Sequence, residues 1–554
     1  MSSLFHSITP PTHHVLMRHA FLLTLTAFIA APVLAQEPSG LYGIDDEDYW
    51  SNRCQILMTV DALDTARTAC EQALGLEPDD EALWLTYAML LQRLDQPTEA
   101  LVAISTAITE GADDSPSYLT QCQIQVDLAQ YEAAHSSCRL ALERDRHWGP
   151  FHRDDAWDYH GLALAVMEQW EAAIASYNHV IHQDPSRSGF RARRCEALNH
   201  LGRHREALIN CDSALRYDQG WGMVSPEVAL HQRAIALAQI NEPEQAIAAY
   251  DRTLTANNTG FNLWLEQGLL LADHQRNEDS LHAFEQAVRL NPESSMAQVF
   301  RCEILNQLGH YEAALDACDM AIAGDGSWGP LGIGHVWDQQ SISHTHLGDF
   351  DTALALSNRA VGFLPAYAPA WTHQSAIHWH LGQYDAAIAA SNQAIALDRT
   401  LISAWFNQAL AYRSQGDYER ALGAYDEIIA LAPGDEHAWS NRSVILWYLE
   451  RYDEAVDAAD EAIARQPDSH LGWYNRGTAL ASLGHLQEAL TAYDEALTRA
   501  PEHPDVLTGQ GYVWLALGHF DEAINSLETA LRVYPNHQLA DTLLLEIEAN
   551  QEQE

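Results

Sequence analysis

The chain has 554 residues, and 47% of them are hydrophobic, which is enough for a continuous core and too many for a disordered protein. Asp and Glu total 77, whereas the 30 cationic residues are all Arg, so the formal net charge is −47. The absence of Lys excludes Schiff-base and P-loop chemistry, and the negative charge argues against nucleic acid and anionic lipid as partners.

Residues 1–35 have the pattern of an export signal. Arg18 precedes an apolar run over residues 20–31, and small residues stand three and one positions before a cut at Gln36. The run is shorter than the roughly 20 residues of a membrane span, and no later segment qualifies. We therefore expect an exported protein, periplasmic or extracellular, whose translation starts at Met1 or Met17. Residues 36–46 form a short linker.

One motif then repeats over residues 47–535. A small residue recurs about every 34 residues, often with Trp sixteen residues before it and Pro twelve after it. Apolar residues at helical spacing fill both halves of each unit, and Gly often marks the middle, so each unit is predicted to be two helices joined by a turn. The fourteen small residues are Ala66, Ala100, Ala134, Ala173, Ala207, Ala246, Ser280, Ala314, Ala353, Ala387, Ala421, Ala455, Ala489 and Ala523. Residues 536–554 are predicted to form a C-terminal capping helix with an acidic tail.

Three of the intervals are 39 residues long instead of 34. Each five-residue excess contains a Trp-Gly pair, at Trp148, Trp221 and Trp328. Two interpretations stay open: each Trp packs over the end of a neighbouring helix, or the three together form a binding ledge.

Within one unit the pattern is Trp at position 4, a small residue at 8, Ala at 20, an aromatic at 24, Ala at 27 and Pro at 32. This pattern resembles the tetratricopeptide repeat family over residues 47–535. The resemblance implies an all-α, right-handed superhelical solenoid of about fourteen helix-turn-helix repeats. It also implies that the first helices line a concave groove.

All eight cysteines occupy positions 8 and 24 of four repeats. These positions are symmetric about the turn, and packed helices bring such Cα atoms to roughly 3.5–5.5 Å, which overlaps the range of a disulfide. A zinc site would need close Cys-x-x-Cys pairs, which the sequence lacks. The pattern therefore predicts four disulfides within repeats: Cys54–Cys70, Cys122–Cys138, Cys195–Cys211 and Cys302–Cys318.

One set of groove positions is regular. Asn407, Asn441 and Asn475 occupy position 6 of three consecutive repeats, with His373 at the same position one repeat earlier. A ladder of carboxamides can pair with a peptide backbone, and it resembles the asparagine ladder of the O-linked N-acetylglucosamine transferases. The alternative is that Asn is simply a common polar residue at this position. Further along the same helices, Trp379 and Trp447 are candidates for stacking on a ligand.

No catalytic constellation is present, so we expect no enzymatic activity, no cofactor and no metal site. The densest histidine cluster, His373, His378 and His380, makes weak metal binding conceivable but not expected. The acidic surface has two interpretations: it keeps a long exported protein soluble, or it attracts basic partner segments.

The sequence thus predicts a non-enzymatic scaffold that binds segments of protein partners in its groove. The alternative is a structural spacer or assembly factor that self-associates through the ends of the solenoid.

Overall fold

The computed structural model describes residues 47–144, 147–256 and 258–551, and these residues form helices joined by short turns. The helices come in fourteen pairs, whose first and second members are here called A and B helices. The A helices are α1 (Glu47–Thr59), α3 (Glu81–Arg93), α5 (Ser115–Asp127), α7 (Arg153–Val166), α9 (Ser188–His200), α11 (Pro226–Gln239), α13 (Phe261–Asp273), α15 (Ser295–Gln307), α17 (Gly332–His346), α19 (Ala368–His380), α21 (Ile402–Gln415), α23 (Glu436–Tyr448), α25 (His470–Ser482) and α27 (Pro504–Ala516).

The B helices are α2 (Leu63–Leu76), α4 (Pro97–Glu110), α6 (Tyr131–Arg144), α8 (Trp170–Gln183), α10 (His204–Tyr217), α12 (Pro243–Ala256), α14 (Asn277–Leu290), α16 (Tyr311–Ala323), α18 (Phe350–Phe363), α20 (Tyr384–Leu397), α22 (Tyr418–Leu431), α24 (Tyr452–Arg465), α26 (Leu486–Arg499) and α28 (Phe520–Val533). A final helix, α29 (Gln538–Gln551), follows the last pair at the position predicted for the capping helix. The predicted export signal and linker, over residues 1–46, lie outside the described residues.

The chain divides into two compact units between Leu290 and Asn291. Unit 1 contains α1–α14 and unit 2 contains α15–α29. In each unit, A helices contact the A helix of a neighbouring repeat, as in α9 with α11 and α19 with α21, whereas a B helix packs mainly on the A helices of its own and the next repeat. The A helices therefore form one layer of each unit and the B helices form the other.

Each helix pair is packed where position 8 of the A helix meets position 24 of the B helix. In one repeat Gly161 lies against the ring of Tyr177, and any Cβ at Gly161 would overlap that ring. A Cβ at Gly268 would lie 2.7 Å from Phe284. The small residue is thus required by a bulky partner, because a close-packed core has no room for extra atoms.

In four repeats both of these positions are cysteines. The four pairs are bonded in the structure, with Cα atoms 5.1 to 5.5 Å apart, and all eight cysteine side chains are fully buried. Each bond joins the two helices of one repeat and makes no connection between repeats.

Every turn between an A and a B helix contains one residue with left-handed backbone conformation. It is the fifteenth residue of the repeat, and the next N–H bonds to the carbonyl five residues back, as Gln383 does with His378 at 2.9 Å, which closes the A helix. These residues are Asp61, Asp95, Ala129, Glu168, Gly202, Asn241, Gln275, Gly309, Gly348, Gly382, Gly416, Glu450, Gly484 and Gly518. Glycine is thus preferred at this position without being obligatory.

The tryptophan at position 4 fastens the turn between repeats. Its indole N–H donates to the carbonyl oxygen six residues earlier, over 2.8 Å in Trp84 and 3.0 Å in Trp371, and Trp264, Trp405, Trp439 and Trp473 do the same. Arg191 stands at this position where Trp is absent, and its Nε donates to the carbonyl of Pro185 at 2.7 Å. In these seven repeats a flat side chain thus donates to the carbonyl six residues earlier, whereas Leu230 and Leu507 stand at position 4 without a donor.

Substitution of two glycines, one at the end of α21 and one inside α22, tests the backbone conformation of the turn. Gly416 has a φ of 79° at the end of α21, and Gly423 lies inside α22; an added Cβ would meet nothing within 4 Å at either site. We expect Gly416→Ala to destabilise the protein by about 1–2 kcal/mol through backbone strain. The matched control, Gly423→Ala, should stabilise it by about 0.5–1 kcal/mol. Urea unfolding monitored by circular dichroism measures both, and shifts of the same sign would contradict this account.

Candidate functional site

The solvent-facing side of the A-helix layer in unit 2 is the candidate binding surface. Position 9 of five consecutive A helices points to this side, and each of its residues is at least partly exposed: Ala376, Leu410, Val444, Thr478 and Tyr512. Tyr512 is 51% exposed. The surface therefore presents a row of uncharged and mostly apolar side chains, one from each repeat.

The three asparagines of the predicted ladder make two kinds of hydrogen bond, one to the neighbouring A helix and one within their own helix. Asn407 Nδ2 donates to the carbonyl of Thr372 at 2.9 Å, and the buried Asn475 donates to the carbonyl and hydroxyl of Ser440 at 3.0 and 2.9 Å. Asn441 instead donates to His437 of its own helix at 2.8 Å. The amide groups of Asn407 and Asn475 thus connect repeats, and only Asn441 is directed away from the neighbouring A helix.

These two asparagines belong to a recurring link between position 5 of one A helix and position 6 of the next, 35 residues on. Three further links of this kind are ionic: Asp158 with Arg193 at 2.6 Å, His231 with Glu266 at 2.6 Å, and Asp338 with His373 at 2.9 Å. Asp158 and Arg193 are nearly buried, and Asp338 is fully buried. Buried charges need such partners, because an unpaired charge is costly in the interior.

The ionic links were not recognised in the sequence. Asp158, Arg193, His231, Glu266 and Asp338 look like ordinary polar residues, and the shared separation of 35 was the available signal. His373 was predicted as a groove residue, but its Nδ1 is held by Asp338. Burial disfavours the charged imidazole, yet the Asp338 carboxylate outweighs burial and raises the pKa of His373.

The three histidines of α19 do not converge on one point. His373 contacts Asp338, His378 Nδ1 lies 2.8 Å from Gln383 Oε1, and the ring of His380 stacks on Phe350 with centroids 4.9 Å apart. Throughout the described ranges, no three His, Cys, Asp or Glu side chains are grouped so as to hold a metal ion.

Two tryptophans predicted as groove residues lie on the candidate surface with their indoles fixed in place. Trp379 Nε1 donates to Ser414 Oγ at 3.0 Å, and Trp447 Nε1 donates to Ser482 Oγ at 2.8 Å, each bond reaching the next A helix. Both rings stay partly exposed. An aromatic face held in this way loses little freedom when it stacks on a ligand.

The insertion tryptophans are anchored to the repeats next to them. Trp221 donates to Asp218 at 3.0 Å and Trp328 to the carbonyl of Ala321 at 2.9 Å, while Trp148 packs on a buried cluster of its repeat. The insertion around Trp221 also accepts a bond from the Ser188 N–H at the start of α9, over 3.0 Å to Gln219 O. The loop around Trp221 thus satisfies a first-turn N–H group of α9, which favours the packing interpretation for this tryptophan.

A partly buried histidine cluster lies in unit 1. The rings of His135 and His160 stack with centroids 4.7 Å apart, Trp157 stacks on His179 at 4.1 Å, and His160 Nδ1 lies 2.9 Å from Ser176 Oγ. Burial, together with the positive charges of His135, Arg139 and His179, lowers the pKa of His160 to about 4. His160 is therefore neutral at physiological pH.

The fold defines a class of protein: antiparallel helix pairs that recur at intervals of 34 or 39 residues in each unit. Four family models described as Tetratricopeptide repeat match residues 57–121, 265–327, 368–401, 402–435, 442–504 and 480–547, together more than half of the chain. The chain belongs to the tetratricopeptide repeat family, whose architecture is that of scaffolds for protein–protein interaction.

Individual relatives are distant. Protein FlbA of Caulobacter vibrioides is 24% identical over 204 residues, a match that covers 36% of this chain and 32% of FlbA, so the chain spans about a third of that relative's length. The Cut9–Hcn1 hetero-tetramer of the APC/C is similar in structure, with 16% identity, a TM-score of 0.42, and coverage of 93% of this chain and 98% of that one. YrrB, described as a TPR protein with an unusual peptide-binding site, has 19% identity, a TM-score of 0.28, and coverage of 33% and 95%.

Nowhere in residues 47–144, 147–256 and 258–551 is a helix both long and apolar enough to cross a membrane.

The two roles of the asparagines predict different mutational effects. Asn475→Ala should destabilise the protein by about 1–3 kcal/mol, because the change removes the two hydrogen bonds that the buried Asn475 amide donates to Ser440. Asn441→Ala removes a bond within an exposed helix and should change stability by less than about 0.5 kcal/mol. Urea unfolding of the two variants provides the comparison. Equal effects would mean that Asn475 does not connect repeats.

The low pKa of His160 predicts a loss of stability in acid. Between about pH 6.5 and 4 the unfolded chain binds a proton that the folded protein does not, so stability falls as the pH falls through this range. His160→Gln should flatten this part of the urea midpoint profile. The exposed His485→Gln is the control and should leave the profile unchanged. An imidazole NMR titration of His160 with a midpoint near 6.5 would refute the prediction.

Proposed function

We propose that this protein is an exported, non-enzymatic scaffold that binds segments of partner proteins along the A-helix face of unit 2. The observation that carries the proposal is the row of uncharged side chains, each at least partly exposed, on α19, α21, α23, α25 and α27. A soluble acidic protein has no structural need for such a row, and contiguous apolar surface of this kind is typical of binding sites.

The groups flanking the row suit an extended or helical segment. Trp379 and Trp447 lie on α19 and α23 with their indoles fixed, and Tyr448 at the end of α23 is 47% exposed. Aromatic anchors with little freedom to lose contribute much of the energy at protein interfaces. Asn441 stays a candidate for pairing with the backbone of the bound segment.

The cysteines support the proposed location. Four disulfides buried inside helix pairs are stable products of an oxidising compartment, whereas cytosolic thiols are kept reduced. Together with the export signal predicted over residues 1–35, they favour the periplasm or the extracellular space.

A second candidate function is self-association through the end of unit 2. The helix α29 buries Leu543 and Ile547 but leaves Leu539 56% exposed and Leu545 57% exposed. Two exposed leucines on a terminal helix offer an apolar contact for another copy, as a spacer or assembly factor would require.

Site-specific photocrosslinking in the native exporting cell separates these functions. A benzophenone amino acid at Val444 should give covalent adducts with other proteins. The same group at Ile209, a 65% exposed residue on the B helix α10, should give few or none. Adducts at Ile209 but not at Val444 would overturn the proposed binding face.

Light scattering of the purified mature protein tests the second function. A scaffold that binds partner segments should have the mass of one chain, and Leu539→Glu with Leu545→Glu should not change that mass. A larger mass that falls to one chain in the double variant would support self-association instead.

A further inference from the structure

We infer that the bound segment is uncharged and rich in aromatic and aliphatic side chains, and that it is not a basic segment attracted by the acidity of the protein. This inference rests on the proposed function and specifies its partner. It starts from the distribution of charge between the two helix layers of unit 2.

The acidity of unit 2 is concentrated in its B helices. The helices α16, α18, α20, α22, α24, α26 and α28 carry nineteen acidic residues and five arginines. The A helices α15, α17, α19, α21, α23, α25 and α27 carry four acidic residues and four arginines. The layer that holds the candidate surface is therefore neutral overall, in a chain of net charge −47.

The four carboxylates of those A helices are already engaged within the chain. Asp338 contacts His373 at 2.9 Å and Glu303 contacts His335 at 3.4 Å. Asp505 contacts His537 at 3.0 Å, and Glu436 accepts a hydrogen bond from Ser469 at 3.2 Å.

Two of the arginines turn toward the B layer. Arg442 reaches Asp426 and Arg476 reaches Asp460, each over 2.7 Å. A basic segment on the A-helix face would therefore lose its own hydration without meeting a free carboxylate there, and burying a charge without a partner is unfavourable.

The side chains that remain available are mostly apolar or aromatic, and Asn441, Thr478 and the partly exposed Arg413 are the polar exceptions. Leu410 and Val444 form the middle of the row, Tyr512 ends it, and Trp379 and Trp447 flank it with their N–H groups bonded to Ser414 and Ser482. Because those indole N–H groups are occupied, the rings offer their faces rather than a donor. Faces of this kind stack on aromatic side chains and pack on aliphatic ones.

The test is a selection with random twelve-residue peptides displayed on phage, using the full-length mature protein as bait. The selected pool should be enriched in Trp, Phe, Leu and Ile, with Arg and Lys at or below their frequency in the library. Synthetic peptides from the pool should change affinity by less than about threefold between 50 and 500 mM NaCl, since screening weakens mainly contacts between charges.

Replacing Val444 by an acidic residue and by a basic residue tests whether the selected peptides bind at this position. Val444→Glu and Val444→Arg should each weaken the selected peptides at least about tenfold, because either charge would be buried without a partner. Val102→Glu, at a 64% exposed valine on the B helix α4, is the matched control and should have no effect. Thermal melting confirms that each variant is folded. Leu410→Glu repeats the test if a Val444 variant is not.

The outcomes distinguish this inference from the function it rests on. A pool dominated by Arg and Lys, strengthened by Val444→Glu and weakened by Val444→Arg, would overturn the uncharged partner while retaining the binding face. A pool unaffected by any change at Val444 and Leu410 would overturn the binding face itself. Failure to select any peptide would count against both.

Discussion

The structure depends on one close contact, repeated in every helix pair, between position 8 of the A helix and position 24 of the B helix. Different residues make this contact in different repeats. Gly161 packs against Tyr177, and Cys122 forms a disulfide with Cys138. Ser375 donates a hydrogen bond to the carbonyl of Ala387, which lies one turn before position 24. What is constant is a small residue at position 8, which is Gly, Ala, Ser or Cys in all fourteen repeats, since close packing leaves no room there for a larger side chain. Because the distance between the two helices of a repeat is fixed, every repeat presents a similar surface to the next one, and further repeats can be added.

Under the proposed function, binding and stability use different parts of the same helices. Positions 5 and 6 of the A helices connect repeats through buried ionic and amide groups, whereas position 9 is at least partly exposed in the five repeats of the candidate surface. In unit 2 the acidic residues of the helices lie mainly on the B helices, which leaves the A-helix layer neutral overall. Under the proposed function, solubility and recognition therefore depend on opposite layers of this unit.

Much of this fold could be predicted from the sequence, because its signals are periodic. The 34-residue interval gave the helix pairs and their turns, and the equal spacing of the cysteines gave contacts that the structure contains. The links between repeats were harder to predict, because the pairs have different chemistry. Asp158 pairs with Arg193 and Asp338 pairs with His373, and only the separation of 35 residues is shared. The spacing of the three asparagines could be read from the sequence because it follows the repeat. The hydrogen-bond partners of Asn407 and Asn475 could not be predicted, because they depend on how closely the neighbouring A helix packs.

The varied chemistry of the links between repeats has a consequence for how such a gene can evolve. Tandem repeats in DNA are prone to unequal recombination, which removes or duplicates one unit. Loss of the repeat that contains Arg193 would place Gln232 opposite Asp158, and loss of the repeat that contains His373 would place Asn407 opposite Asp338. A buried carboxylate would lose its cation in either case, at a cost of several kcal/mol. The order of these repeats is therefore constrained by the side chains that pair between them, even though their backbones are alike.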